Sequence, residues 1–391
     1  MSAEPPGRRR RIWRTAVPQL SRFALEHLLL LPLGAVIALV WANTSPESYF
    51  RFSYAIAFAV NDIALAFFFA LMTKEVVEAT APGGVLHPWR RALMPVLASI
   101  GVAIVPALIH LYIVTPLDEP MLAVAWPVTL ATDVAVSYFA ARLMFGKHHP
   151  AIPFVILLAI TSDAFGFVAL ALFNPTRELH LAGGVLILVI AMSLASLLRR
   201  VRVKTFWPYL LGAGTLSWFA LYWSGLHPAL ALVPIMPFLP HAARDPGFFV
   251  DASPGAHDTL SRFEVFWRYP TQVALFFFGL VNSGVPMGSL EEGIWAVPIA
   301  VLAGKPAGVL LGAGLALAAG LHLPHRLGWR DLIPIGFVAA IGFSVGLFFC
   351  AALLPPGQLR SEINMGVLLS GAGLPLALIA ARLLRVGRFA H

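Results

Sequence analysis

The sequence predicts an all-α membrane protein with twelve transmembrane helices. Three observations carry that expectation: composition, the length of the apolar runs, and the placement of basic residues. Of 391 residues, 59% are hydrophobic and only 12% are charged, about half the charged share of an ordinary soluble domain. The mean hydropathy is +0.81. A soluble chain of this composition would lack the polar surface to cover itself, and disorder needs low hydrophobicity with high charge. The apolar residues also form long unbroken runs, not the alternation of an outer-membrane barrel.

About 20 consecutive apolar residues cross a bilayer. Runs of that kind lie near 25–43, 55–73, 92–114, 121–143, 151–173, 181–198, 207–223, 226–240, 265–282, 294–320, 333–354 and 364–384. The eighth is short, and the fourth and eleventh are interrupted. Arg8, Arg9, Arg10, Arg11, Arg14 and Arg22 precede the first run. Pro32 interrupts that run and no small-residue cleavage site follows, so a retained first helix is expected rather than a signal peptide.

Basic residues alternate by side. One side receives the N-terminal arginines, then Lys74, Arg90 and Arg91, Arg142 and Lys147, and Arg199, Arg200, Arg202 and Lys204. Arg244, Arg262, Arg268, Arg326, Arg330, Arg382, Arg385 and Arg388 follow on the same side. The other side holds Arg51, Arg177 and Arg360, with the acids Glu47, Asp118, Glu119, Glu291 and Glu292. The Lys/Arg bias puts both termini on the cytoplasmic side of the membrane. The formal charge of +8 then reflects cytoplasmic loops, not nucleic-acid binding. The longest loop, about 241–264, is too short for a soluble domain. One domain over 1–391 is expected: a basic cytoplasmic N-terminus (1–24), the twelve-helix body (25–384) and a cytoplasmic C-terminus (385–391). The single cysteine, Cys350, lies in an apolar run and reads as a packed core residue.

Few side chains in the runs ionise: Asp62, Asp133, Asp163 and Lys305, with Lys74 and Glu75 at the inner end of the second. A charge at bilayer depth costs roughly 2.5–3.5 kcal/mol on insertion scales, and such residues commonly face a water-filled cavity or an ion path. The alternative is a structural ion pair that sets helix packing. Asn61–Asp62 also falls close to the outer interface. Desolvation disfavours the charged form of any ionisable group, which brings proton loading and release within reach of neutral pH. A carboxylate beside hydroxyls and backbone carbonyls also suits a hard cation such as sodium. Proton and cation then compete for one group, and competition is enough for exchange.

The fourth run reads Trp126-Pro127-Val128-Thr129-Leu130-Ala131-Thr132-Asp133. Pro127 removes a backbone donor and disfavours continuous helix. A break here would free carbonyls to line a polar cavity, the only setting lipid allows them; the alternative is a simple proline kink. Gly342 and Gly346 in the eleventh run can mark a matching break, although glycine is common in membrane helices. Gly304, Gly308 and Gly312 recur every four residues, a row that lets another helix approach closely.

These motifs resemble the NhaA family of sodium/proton antiporters. The resemblance rests on Ala131-Thr132-Asp133, Ala159-Ile160-Thr161-Ser162-Asp163, Gly304-Lys305-Pro306 and Gly342-Phe343-Ser344. Val60-Asn61-Asp62, Gly225-Leu226-His227 and Asn364-Met365-Gly366-Val367-Leu368-Leu369-Ser370-Gly371 complete the ordered set, from about residue 55 to 385. The resemblance implies inverted repeats and two discontinuous helices crossing at mid-membrane. It implies Asp163 as the cation- and proton-binding carboxylate, with Asp133 and Thr132 at the crossing, so that Na+ sits at Asp163, Asp133 and Thr132. It makes Lys305 the neighbouring cation, and His227 and Glu75 the positions tied to pH response. His227 also reads simply as a helix-end histidine. The implied activity is exchange of cytoplasmic Na+ or Li+ for external H+ by alternating access, in pH and sodium homeostasis. The partners are those ions and the bilayer, with a homodimer left open and no cofactor expected.

Two departures stand out. Ser162 occupies the position where the family carries the first of two adjacent aspartates, which deprives Lys305 of its expected carboxylate partner. Val77 and Glu78 stand where the family carries a basic pair. The first departure points to exchange closer to electroneutral, the second to altered or absent regulation by cytoplasmic pH. Two alternatives stay open: a sodium-coupled symporter of related fold, and a paralogue with altered or lost coupling. An intramembrane aspartyl protease is disfavoured, because neither Tyr-Asp nor Gly-x-Gly-Asp surrounds Asp133 or Asp163.

Overall fold

A computed structural model describes residues 30–80, 93–117, 119–146, 149–173, 180–241, 258–289 and 291–390. The N-terminal arginines, the cytoplasmic segment 1–24 and the loop residues Arg90, Arg91, Asp118, Lys147, Arg177 and Arg244 lie outside the described residues. Every regular element among the described residues is helical.

The chain forms α1 (Leu30–Thr44), then α2 (Pro46–Phe58), which passes through a π turn at Ala59–Ala64 into α3 (Leu65–Thr80). Next come α4 (Leu93–Val114) and the short α5 (Pro120–Val124), followed by α6 (Val134–Phe145) and α7 (Ala151–Phe173). Then follow α8 (Leu181–Arg200), α9 (Thr215–Ser224), α10 (Thr259–Asn282) and α11 (Ala296–Ala318). Last are α12 (Trp329–Ala339), α13 (Phe343–Leu353), α14 (Gln358–Leu369) and α15 (Gly373–Leu383).

Among the described residues, six helical stretches are long and apolar enough to cross a membrane: Pro46–Glu78, Leu93–Leu117, Ala151–Leu170, Ala182–Arg200, Glu292–Ala318 and Gln358–Phe389. A seventh is added if α12 and α13, bent by 47° at their junction, count as one. The other expected spans are shorter, broken or, in the 24-residue α10 with its Arg268, Thr271, Gln272 and Asn282, less apolar. The stretch 226–240 carries Pro228, Pro234, Pro237 and Pro240 and folds into 3₁₀ turns at Pro228–Leu230 and Met236–Phe238 instead of an α-helix. Proline supplies no N–H and clashes with the preceding turn. The fourth run divides into α5, a 3₁₀ turn at Trp126–Leu130 and α6. The first begins at the edge of the described residues.

The exterior is apolar, as lipid requires. Val185, Leu186, Val189 and Ile190 on α8 are all exposed. The interior is built on close helix contacts. Along α11, Gly304, Gly308 and Gly312 lie against Pro106, Gly101 and Ala98 of α4. A β-carbon at Gly308 would meet the Gly101 carbonyl carbon at 2.7 Å, so the backbones touch where a side chain would stand. Gly308→Val is therefore expected to cost at least about 1–3 kcal/mol from overpacking. The check is the thermal unfolding midpoint of detergent-purified protein, and an unchanged midpoint would show that the helices separate freely here.

Candidate ion-exchange site at two helix breaks

The functional geometry begins where two chain breaks meet. After the 3₁₀ turn at Trp126–Leu130 the backbone extends through Ala131 (φ −57°, ψ 134°) and Asp133 (φ −80°, ψ 103°) before α6 starts. The second break separates α12 from α13. The two are joined directly: the Asp133 N–H donates to the Ile341 carbonyl at 2.6 Å. Gly342 packs against the Ala131 carbonyl, where a β-carbon would not fit.

Four helix ends thus converge, and each end carries roughly half an elementary charge. Two are N-terminal, at Val134 and Phe343, and the Asp133 carboxylate serves both. Its Oδ1 accepts from the Val136 N–H at 3.0 Å, and its Oδ2 from the Ser344 N–H at 3.2 Å. Two are C-terminal, at Leu130–Ala131 and Ala339, and Lys305 serves both. Its Nζ donates to the Leu130 carbonyl at 3.3 Å, the Ala339 carbonyl at 3.0 Å, the Thr132 hydroxyl at 2.8 Å and the Ala131 carbonyl. One anion offsets two positive ends, and one cation offsets two negative ends. That symmetry makes two charges tolerable at 5% and 0% exposure.

Asp163, on α7, reaches the same break from the side. Its Oδ1 accepts from the Thr132 N–H at 2.7 Å. Thr132 therefore contacts Asp163 through its amide and Lys305 through its hydroxyl. No carboxylate among the described residues lies within 4.0 Å of the Lys305 ammonium. Ser162, the departure noted above, donates to the Leu130 carbonyl at 2.7 Å. Asp163, Asp133, Thr132, Ser162 and Lys305 are thus gathered into one buried cluster.

The family description Na+/H+ antiporter 1 matches residues 24–383. The chain is 40% identical to the Na(+)/H(+) antiporter NhaA of Geotalea uraniireducens, over 95% of this chain and 99% of that one. The chain belongs to the NhaA antiporter family. A second relative, the Na(+)/H(+) antiporter NhaA 1 of Pelobacter propionicus, is 39% identical over 91% of this chain and 95% of that one. The fold is also that of the sodium proton antiporter MjNhaP1 from Methanocaldococcus jannaschii, solved at pH 8. The TM-score is 0.58 at 16% identity, over 93% of this chain and 91% of that one.

The remaining predicted residues of this NhaA-family chain lie elsewhere. Glu75 belongs to a cluster at the C-terminal end of α3. There Lys74 Nζ sits 3.3 Å from Glu75, 2.7 Å from Glu78 and 2.9 Å from Glu264. Lys74–Glu78 was readable from its four-residue spacing; Glu264, on α10, was not. His227 caps the 3₁₀ turn that follows it, its Nδ1 accepting from the Ala229 N–H at 3.3 Å. Its ring stands edge-on to Phe348, 4.6 Å between centroids. Asp62 lies on the π turn, its carbonyl accepting from Trp218 Nε1 at 2.9 Å. Sequence reasoning missed the Ser344 amide and the carbonyls of Leu130, Ala131 and Ala339. Only Gly342-Phe343-Ser344 hinted at the first, and backbone carbonyls leave no mark in a sequence.

Proposed function

We propose that Asp163 is the shared carrier, loading a proton or a sodium ion in turn as the protein, a multi-pass membrane antiporter of the NhaA family, alternates its opening. The observation that carries this reading is the one-sided partnership of Asp163. Its Oδ1 is held by the Thr132 amide, while its Oδ2 has no hydrogen-bond partner among the described residues. A buried carboxylate with one oxygen anchored and one open binds a proton or a small hard cation, but not both strongly. The Thr132 hydroxyl and the Ala131 carbonyl already accept from Lys305, so Asp163 supplies the negative charge that holds the ion.

Lys305 and Asp133 act as fixed counter-charges, holding open the broken segments that give the ion a polar path. In this reading the chain crosses the bilayer twelve times and the two breaks belong to discontinuous helices crossing near mid-membrane within inverted repeats. It sits in a bacterial inner membrane with cytoplasmic termini and exchanges internal Na+ or Li+ for external H+, in one copy or as a homodimer. Glu75 and His227 are assigned to pH response.

With Ser162 neutral and Lys305 committed to helix ends, Asp163 is left as the single proton carrier. Exchange is then one for one and moves no net charge. In proteoliposomes, the rate of sodium-driven proton movement is expected to be the same with the membrane potential clamped at zero or inside-negative. A rate that follows the potential steeply would reject one-for-one exchange. Ser162→Asp then tests whether the absent carboxylate restores charge movement.

A further inference from the structure

A second polar site lies away from the exchange centre. A cavity of about 520 Å³ opens between α2, α10 and α14, lined by Tyr54, Asn61, Asn282, Arg360 and Asn364 among others. None of its lining residues is acidic, so Arg360 sets its charge. Arg360 donates from Nη2 to Asn282 Oδ1 at 2.9 Å. Among the described residues it has no carboxylate within 4.0 Å. A guanidinium has five donors in a planar fork that matches carboxylate and phosphate oxygens, and one such bond leaves most of that fork unused.

The asparagines around it are ordered by each other. Asn282 Nδ2 donates to Asn61 Oδ1 at 2.8 Å, and Asn61 Nδ2 returns a bond to Asn282 Oδ1 at 3.3 Å. Asn61 sits on the π turn Ala59–Ala64, a distortion that recurs at functional sites. Asn364 Nδ2 donates to the Asn282 carbonyl at 2.8 Å, yet its Oδ1 is buried without a hydrogen-bond partner. Asn364 is only 4% exposed. The wall of the cavity thus presents an underused cationic fork, and Asn364, which lines the same cavity, carries an unmatched acceptor closed off from solvent. Tyr54, 57% exposed, carries the rim onto the lipid-facing surface.

We propose that this cavity binds a phosphate-type oxyanion that also carries a hydroxyl, the anion against Arg360 and the hydroxyl donating to Asn364 Oδ1. Two sources offer that chemistry: inorganic phosphate, as the dihydrogen ion, and the phosphoglycerol headgroup of a membrane lipid. The site lies apart from the sodium site at Asp163. The bound group ties α2, α10 and α14 together, and α14 continues to Ser370, whose hydroxyl accepts from the Gly342 N–H at the second break, 3.3 Å away.

The test is native mass spectrometry of the full chain in neutral detergent, with phosphatidylglycerol, phosphatidylcholine or inorganic phosphate added. Phosphatidylglycerol is expected to stay bound and phosphatidylcholine to dissociate. Arg360→Gln should lower retention about tenfold, as loss of a charge-assisted bond does. Arg360→Lys should fall between, since it keeps the charge and loses the fork. Arg51→Gln is the control: Arg51 is exposed and already paired with Glu47 at 2.7 Å, and its loss should change nothing. Arg360-dependent binding of inorganic phosphate, with lipid indifferent, would uphold the oxyanion site and identify the free ion as its source. Equal retention of both lipids with no phosphate binding would overturn the proposal, as would equal losses in Arg360→Gln and Arg51→Gln. If Arg360→Gln does not fold, Arg360→Lys decides, and wild-type retention in that variant would overturn the proposal.

Discussion

Asp163→Asn is expected to abolish sodium-driven proton movement, bringing everted vesicles to the level of membranes without the protein. The substitution keeps the side chain's shape and leaves an oxygen to accept the Thr132 amide, now at 2.7 Å from Oδ1. It removes both the negative charge that attracts sodium and the site that takes a proton. The fold should survive, because neither helix-end charge is touched. Expression and thermal unfolding near wild type, with no dequenching of a pH dye on adding sodium, is the expected pair of results. Retained exchange would reject Asp163 as the carrier. A loss of folding together with activity would show instead that the carboxylate is structural.

The second large effect is on stability. Lys305→Leu is expected to lower the unfolding midpoint by about 5 °C. Lys305 donates to three carbonyls and to the Thr132 hydroxyl. A leucine leaves these acceptors buried and unmatched, at roughly 1–3 kcal/mol each where they cannot find water. It also leaves two helix C-termini without a counter-charge. Partial rescue by water brings the net loss to about 3–5 kcal/mol, and each kcal/mol moves the midpoint of a chain this long by only about 1 °C. Differential scanning fluorimetry in detergent reads the shift. A midpoint within a degree or two of wild type would mean that the two helix ends are satisfied by something other than this ammonium. A contrasting variant, Lys305→Arg, keeps the charge and should recover part of the loss.

These two expectations separate the chemistry from the architecture. Asp163 reaches the break through a single amide and has an unused oxygen, the arrangement of a group that changes partners. Asp133 and Lys305 each bridge two helix ends, the arrangement of groups that stay in place. Substituting Asp133 should therefore resemble the Lys305 variants in its effect on stability more than it resembles Asp163→Asn.

Much of this was legible in the chain itself. Composition and run length decide for a helical membrane protein, because lipid admits no unpaired backbone and little charge. The same rule makes Asp133, Asp163 and Lys305 conspicuous as the charges in apolar runs. Pro127 marks the first break because proline removes a backbone donor and crowds the preceding turn. The family membership was likewise carried by short ordered motifs, from Ala131-Thr132-Asp133 to Gly342-Phe343-Ser344.

What tertiary structure alone decided is how those charges divide their work. Asp133 and Asp163 are both aspartates at the same depth of an apolar bundle, and nothing in the chain says which one caps helices and which one stands open. That depends on where the Ser344 amide and the carbonyls of Ala131 and Ala339 arrive, and those atoms belong to backbone that every residue shares. Lys305 finds carbonyl partners in place of a second carboxylate for the same reason. Side chains announce charge, but the half-charges at helix ends exist only once the helices have formed and met.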